Sequence, residues 1–390
     1  MKKSLLITVL CGTMLLSSCS LIPSLIPTPE PSDEVTPEST PDTTIEPTAI
    51  PSGSITTVEP TVLPTIEPTV EPTPEPSLQV RVGLGYYGEF YKATTNYSLD
   101  FTTAMVVFDN DGVIVDVRLD MVQFKVNANE ERNGLVLVNT NLDDKGYVKT
   151  KLEMGTNYGM KPISQIGIEY DKQIEAFADW TIGKTPSMIQ QLIDPLSGHG
   201  VAAHPDLQSS CTVTCHNYVS AISSAYNNLT SASYEVGKNI STGVAMSAEL
   251  VNNYGQPSFQ IGFDLAGVVV EDGVVKASAI DCVIWETKIL EDGNIELNTS
   301  CKYFDSEGNI VSKKALGDKY GMSMASPIGT EWYEQAAIIE AAAIGKTGEE
   351  IEKLVADEGD LVGATMTLNV YVQTLAKAAR YSEMELIGPQ

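Results

Sequence analysis

Short runs of β-branched and aromatic residues alternate with turn residues, stretches with apolar positions every three or four residues follow, and this succession occurs twice along the chain. Val106-Val107-Phe108, the turn Asp109-Asn110-Asp111-Gly112 and the run Val113-Ile114-Val115-Asp116-Val117 predict a β-hairpin. Val268-Val269-Val270, Glu271-Asp272-Gly273 and Val274-Val275 predict it again. A third strand is expected from Asp120-Met121-Val122-Gln123-Phe124-Lys125 and from Asp281-Cys282-Val283-Ile284-Trp285-Glu286, with further turns at Asp143–Gly146 and Asp305–Gly308. Tyr170, Ile174, Phe177 and Thr181, matched by Trp332, Ala336, Ile339 and Ala343, lie on one face of a helix and read as core. Thr185-Pro186 and the capping-box pattern Thr347-Gly348-Glu349-Glu350 each start another helix. Ile-Gly-Lys-Thr at 182–185 and 344–347 is therefore a helix-to-helix turn; a phosphate-binding loop needs glycine where Ala178 and Glu340 stand.

The two passes are nearly one sequence written twice. Lys151-Leu-Glu-Met-Gly155-Thr-Asn-Tyr158-Gly159-Met160 recurs 162 positions later as Lys313-Lys-Ala-Leu-Gly317-Asp-Lys-Tyr320-Gly321-Met322, and the same offset carries Glu169 and Gln173 onto Glu331 and Gln335. Nine extra residues around Pro195–Pro205 change the offset to 153, which superposes Tyr218-Val219 on Tyr371-Val372 and closes each half with a helix reaching Ala225 or Ala379. The expected fold is α+β, with two tandem homologous domains, residues 79–230 and 231–390, each an antiparallel sheet packed with helices.

The region before residue 79 has another character. Lys2 and Lys3 precede an apolar stretch, Leu5–Leu16, that is too short to span a bilayer and reads as the core of a secretory signal. Residues 20–78 hold 14 of the 21 prolines, ten acidic residues and no Lys or Arg, too little apolar surface to offset the entropy of ordering. They are expected to be a disordered Pro/Thr/Glu-rich linker, able to reach about 180 Å at full extension. Of the net charge of −27, this segment carries −10 and the signal +2, leaving −19 for residues 79–390. That balance excludes nucleic acid and anionic membrane surfaces as partners, since both require clustered positive charge.

Leu16-Ser17-Ser18-Cys19 resembles the lipobox of bacterial lipoproteins. The resemblance implies cleavage before Cys19, acyl chains on that cysteine, and a lipid-anchored protein on the extracellular face of the cell membrane. Cys211, Cys215, Cys282 and Cys301 do not match one another across the halves, which argues for individual thiols over a disulfide framework. Cys211-x-x-x-Cys215-His216, with His199 and His204 upstream, lacks common metal-ligand spacing, and Ala364, Leu368 and Asn369 stand in its place in the second half, so no metal is expected. Three polar pairs do recur: Lys151 with Lys313, Tyr158 with Tyr320, and Glu169 with Glu331. Either they line a pocket, or they form a turn and a surface ion pair.

Gly363-Ala364-Thr365 resembles the Ser-Gly-Ala-Thr motif of the FMN-binding domain family. The resemblance implies FMN held by a phosphoester on Thr365, and on Thr212 in the first half, attached by a separate flavin transferase and serving electron transfer to a redox partner. The first half supplies Asp206 and Ser209 at the family's spacing before Thr212, with Ser210-Cys211 for Gly-Ala; the second supplies Gly363 and Ala364 but Gly359 and Val362 for the aspartate and serine. The flanking residues put Thr212 ahead of Thr365. Either threonine is alternatively a helix N-cap. The Leu-Gly-x-x-Tyr-Gly-Met segment, Ile-Gly-x-Glu-Trp-Tyr-Glu-Gln and Ile-Gly-Lys-Thr are similar to a family of repeated secreted domains in clostridia and related Firmicutes. Two functions are thus expected of the chain: an FMN-carrying lipoprotein, or a cofactor-free surface binding or structural module for a cell-wall polymer or a protein partner.

Overall fold

The structure, a computed structural model, describes residues 77–192, 207–237, 239–251, 258–355, 361–366 and 368–383. The signal and Cys19, almost all of the linker, and Asp206, His199 and His204 lie outside the described residues. Each half opens with three long antiparallel strands and a short fourth. In the first these are β1 (Leu78–Lys92), β2 (Tyr97–Asp109), β3 (Ile114–Ala128) and β4 (Leu135–Leu137), followed by helices α1 (Lys151–Met154), α2 (Tyr170–Thr181), α3 (Pro186–Leu192) and α4 (His216–Asn227). β5 (Tyr234–Val236) lies beyond the expected boundary at residue 230 and pairs with β1, completing a sheet of order β4-β3-β2-β1-β5. The second half repeats the plan as β6 (Ile240–Val251), β7 (Phe259–Glu271), β8 (Val274–Ile289) and β9 (Ile295–Leu297), in that order in the sheet, with helices α5 (Lys313–Leu316), α6 (Trp332–Ala343), α7 (Gly348–Lys353) and α8 (Leu368–Glu383).

Two strand expectations change. The run after the first turn and the expected third strand are one continuous strand, β3, and likewise β8, because the polar residues between the runs face a covered side of the sheet. β1 and β6 were not legible at all. Their glycines break the alternation that marks a strand, and the reason is tertiary. A Cβ at Gly83 or Gly85 would collide with the backbone of α4 at Ala225 and Ala221, and one at Gly243 with that of α8 at Ala378. Each first strand thus lies directly beneath the last helix of its half.

The local signals hold elsewhere. All eight residues of the two helical stripes are buried. Asp143 and Asp305 each accept two backbone N–H groups through Oδ1 in their turns, and Asp272-Gly273 makes the tight hairpin with positive φ at both residues. The Ile-Gly-Lys-Thr turns fasten to the strands beside them: Gly183 N–H donates to Ile114 and Gly345 N–H to Val275, each at 2.8–2.9 Å.

The described residues between 77 and 383 belong to one compact unit. Within it the two sheets pack face to face through a common apolar core, with the helices on the outer faces. At the centre Phe101 stacks on Phe263, ring centroids 4.1 Å apart and planes within 8°. These residues are equivalents 162 positions apart, so a local two-fold axis passes between them. Four residues along the strand the symmetry is broken in a complementary way, with the Met105 side chain seated on Gly267, its own equivalent.

Candidate functional site

The threonine loops of both halves are held by one device. Gln173 on α2 is fully buried, and its Oε1 accepts the Thr212 N–H at 2.7 Å and the Thr212 hydroxyl at 2.9 Å, while its Nε2 donates to the Ile168 carbonyl at 2.7 Å and to Ser164 Oγ at 2.9 Å. Gln335 repeats this, accepting from Thr365 N–H at 2.6 Å, from its hydroxyl at 3.3 Å and from Met366 N–H at 3.1 Å. A buried amide with all its bonding directions occupied is a latch between the helix and the loop before the last helix. Thr212 is not an N-cap, since Cys215 holds that position in α4 without a side-chain cap bond; in the second half the residue before α8 lies outside the described residues. Thr212 is half-buried and Thr365 exposed; Ser209 is exposed on a turn, Ala364 is buried, and Gly363 has φ +100.

Glu169 and Glu331 prove to be turn and cap residues. Glu169 accepts the N–H groups of Met160, Lys161 and Tyr170, and Glu331 those of Met322 and Ser323. The lysine–tyrosine pairs are different. Lys151 Nζ stands 4.9 Å from the Tyr158 ring centre and 5.1 Å from that of Tyr170, and Lys313 Nζ 5.4 Å from Tyr320 and 6.0 Å from Trp332, so each ammonium faces an aromatic pair.

In the second half this lysine opens onto a cavity of about 320 Å³ on the helix-facing side of the sheet. Asp264, Cys282 and Tyr371 form its base, Tyr147, Tyr303 and Tyr320 its aromatic walls, and Glu249 stands at the mouth. Strand pairing puts Glu249, Gly262 and Ile284 in one cross-strand row and Ser247, Asp264 and Cys282 in the next. The same rows of the first sheet hold Glu89, Asp100 and Gln123, then Tyr87, Thr102 and Met121. Tyr87 has become Ser247, Asp100 has become Gly262 and Met121 has become Cys282, each a loss of volume. In the first half the space is filled: the Tyr218 hydroxyl bonds Met121 Sδ at 3.8 Å and Tyr170 at 2.8 Å, Gln123 bonds Asp100 at 3.1 Å, and Tyr87 bonds Glu89 and His216.

Chemistry has been added where volume was lost, because Thr102 is replaced by Asp264. Burial raises the Asp264 carboxyl above its ordinary range, against the pull of Lys313 and of bonds from Cys282 and Tyr371. Burial works against the Lys313 ammonium, but Cys282, Tyr320 and Asp264 together hold its pKa above the usual lysine value. Burial and the Asp264 charge push the Cys282 thiol well up, so it is a neutral thiol at physiological pH and no nucleophile.

A second pair of buried acids is duplicated. Asp120, whose Oδ1 accepts from Met121 and Leu152, and Asp281, whose Oδ1 accepts from Cys282 and Lys314, tie α1 and α5 to their sheets. Burial lifts Asp120 to about 7 and Asp281 to about 6. Cys211, Cys215, Cys282 and Cys301 form no disulfide with one another.

Of the residues singled out in the sequence, Lys313 and Tyr320 line the cavity, whereas Thr212, Ser209, Gly363, Ala364 and Thr365 are absent from its lining. Asp264, Gly262 and Cys282 were missed. The available signal was the comparison of the two halves for loss of side-chain volume, which becomes readable once the strand registers are known. Among the described residues no His, Cys, Asp and Glu group is arranged to hold a metal ion. No protein family, no curated protein and no solved structure matches the chain.

Proposed function

We propose that the chain is a membrane-anchored extracellular lipoprotein built from two tandem homologous units, of which the second is a small-ligand binding module and the first its packed scaffold. One observation carries the binding assignment: two positions that Asp100 and Met121 fill in the first half hold Gly262 and Cys282 in the second, where they line a space beside an added buried carboxylate and a lysine. A concave, aromatic-walled space with a few convergent polar groups is the usual form of a binding site. Anchoring rests on the lipobox ending at Cys19 and delivery on the linker of residues 20–78. Cys19→Ala should move the protein from the washed membrane fraction to the medium without changing its melting temperature, because two or three acyl chains hold firmly and no helix among the described residues is long and apolar enough to cross a membrane. Retention in the membrane would overturn the anchor. For the module, a broad set of small polar metabolites should include members that raise the melting temperature of the wild type and leave Cys282→Met, which restores the first half's filling, unmoved. Stabilisation that survives Cys282→Met would place the ligand elsewhere.

Flavin on Thr365 is a second reading, favoured by exposure. The Thr365 hydroxyl meets Ser326 Oγ at 3.4 Å, and the two turns joined there carry Met324, exposed to 90 %, and Val362, exposed to 77 %. Both hydroxyls bond a glutamine, but Thr365 does so at 3.3 Å and is exposed beside apolar side chains, whereas Thr212 does so at 2.9 Å and is half-buried, so Thr365 fits a flavin better. This reading prefers Thr365, where the flanking residues prefer Thr212. Coexpression with a flavin transferase should give a fluorescent adduct lost in Thr365→Ala and kept in Thr212→Ala. Absence of an adduct while a known acceptor in the same cells is modified would end this reading.

A further inference from the structure

The chemistry of the cavity wall goes further than the presence of a cavity. Its buried charges already oppose one another, Lys313 against Asp264, with Glu249 beyond them at the mouth. An anionic ligand would meet two carboxylates, and a cationic one would meet an ammonium that the protein keeps charged. A neutral ligand escapes both penalties if it presents donors and acceptors around its edge: hydroxyls donate to Asp264 and Glu249 and accept from Lys313 and Gln260. Tyr147 and Tyr303 line the space with apolar rings that end in hydroxyls, suited to a ring whose faces are C–H and whose rim is O–H, while the Tyr320 ring is faced by the ammoniums of Lys302 and Lys313 at 4.3 and 5.4 Å. Gly262 matters for the fit, since it supplies a floor with no side chain in the middle strand of the site.

From this arrangement we infer that the second half binds a neutral saccharide, with one or two sugar rings seated between the tyrosines and over Gly262. The inference rests on the reading of this half as a binding module. The ligand is a free mono- or disaccharide or the terminus of a wall glycan. Gly262 and Cys282 determine specificity by keeping the floor open, and Asp264 and Glu249 by accepting from ring hydroxyls.

The test is titration calorimetry of the full chain with N-acetylglucosamine, its β-1,4-linked disaccharide and glucose, with putrescine and succinate as charged probes, alongside co-sedimentation with insoluble cell-wall glycan. Saturable binding of a sugar, or of the glycan alone, is expected, weakened at least tenfold in Glu249→Gln and lost in Gly262→Asp. A side chain at position 262 is sterically tolerated, its Cβ meeting only Glu249 at 3.7 Å, so Gly262→Asp should fold, with a melting temperature lowered modestly by the like charge of Glu249 opposite it. Cys282→Met fills the site from the neighbouring strand and should act alike should Gly262→Asp not fold. Binding by sugars shows the free source, and binding by the glycan with none by sugars shows the polymer terminus. Saturable binding of putrescine or succinate without any sugar or glycan, abolished in Gly262→Asp, would overturn the saccharide assignment and leave the binding module standing. Failure of every probe, or binding that both filled variants retain, would overturn both.

Discussion

Replacing Asp120 by asparagine will raise the melting temperature at pH 8 by several degrees and change it far less at pH 5, and Asp281→Asn will do the same to a smaller extent. Both carboxyls are buried, and burial lifts their pKa from the ordinary 3.8 to about 7 and about 6. An acid whose pKa is raised on folding favours the folded state while it is protonated. Its contribution is complete below the unfolded pKa and is lost as pH climbs through the folded one, so for Asp120 the loss runs from about pH 4 to just above pH 7. A carboxyl that loses its proton about three pH units later in the folded chain than in the unfolded one contributes at most on the order of 4 kcal/mol. Asparagine keeps an oxygen for the Met121 and Leu152 N–H groups and never ionises, so it removes the pH-dependent cost without removing the tie to α1. The check is thermal melting of wild type, each single variant and the double variant from pH 4.5 to 8.5. A wild-type curve that rises from pH 5 to 8, or asparagine variants that retain its slope, would show that these acids are ionised at no cost.

The isolated halves, residues 77–237 and 239–383, will not persist as stable monomers. Each would expose the inner face of its sheet, which in the first half carries Val80, Val82, Leu84, Leu99, Phe101, Met105, Val122 and Phe124. An apolar face of that extent either pairs with a second copy or fails to fold. Within the intact chain Phe101→Ala should cost about 3–5 kcal/mol, since the ring is fully buried and its stacking partner Phe263 loses a whole face. Sedimentation and thermal melting of the separate halves decide the matter. A soluble monomer of either half that melts cooperatively near the intact chain's temperature would mean that the shared core contributes little.

Local features were legible in the sequence because they depend on neighbours along the chain. The helical stripes at Tyr170 and Trp332, the capping box at Thr347, the aspartate turns and the helix-to-helix meaning of Ile-Gly-Lys-Thr all follow from spacing and backbone chemistry within a few residues. The duplication itself required only comparison of the chain with itself. Lys313 and Tyr320 could be singled out in that way, and the threonines by resemblance to a family motif, but their roles could not. A threonine that donates to Gln173, 39 residues away, and a lysine set beside a carboxylate 49 residues earlier are products of packing. The first strands stayed hidden because Gly83, Gly85 and Gly243 answer to helices more than 130 residues further on. The cavity was beyond sequence reasoning for the same cause. Asp100 and Gly262, or Met121 and Cys282, look like ordinary drift until strand pairing places Gly262 and Cys282 in adjacent cross-strand rows with Asp264 between them, and only then do separate losses of volume add up to one space.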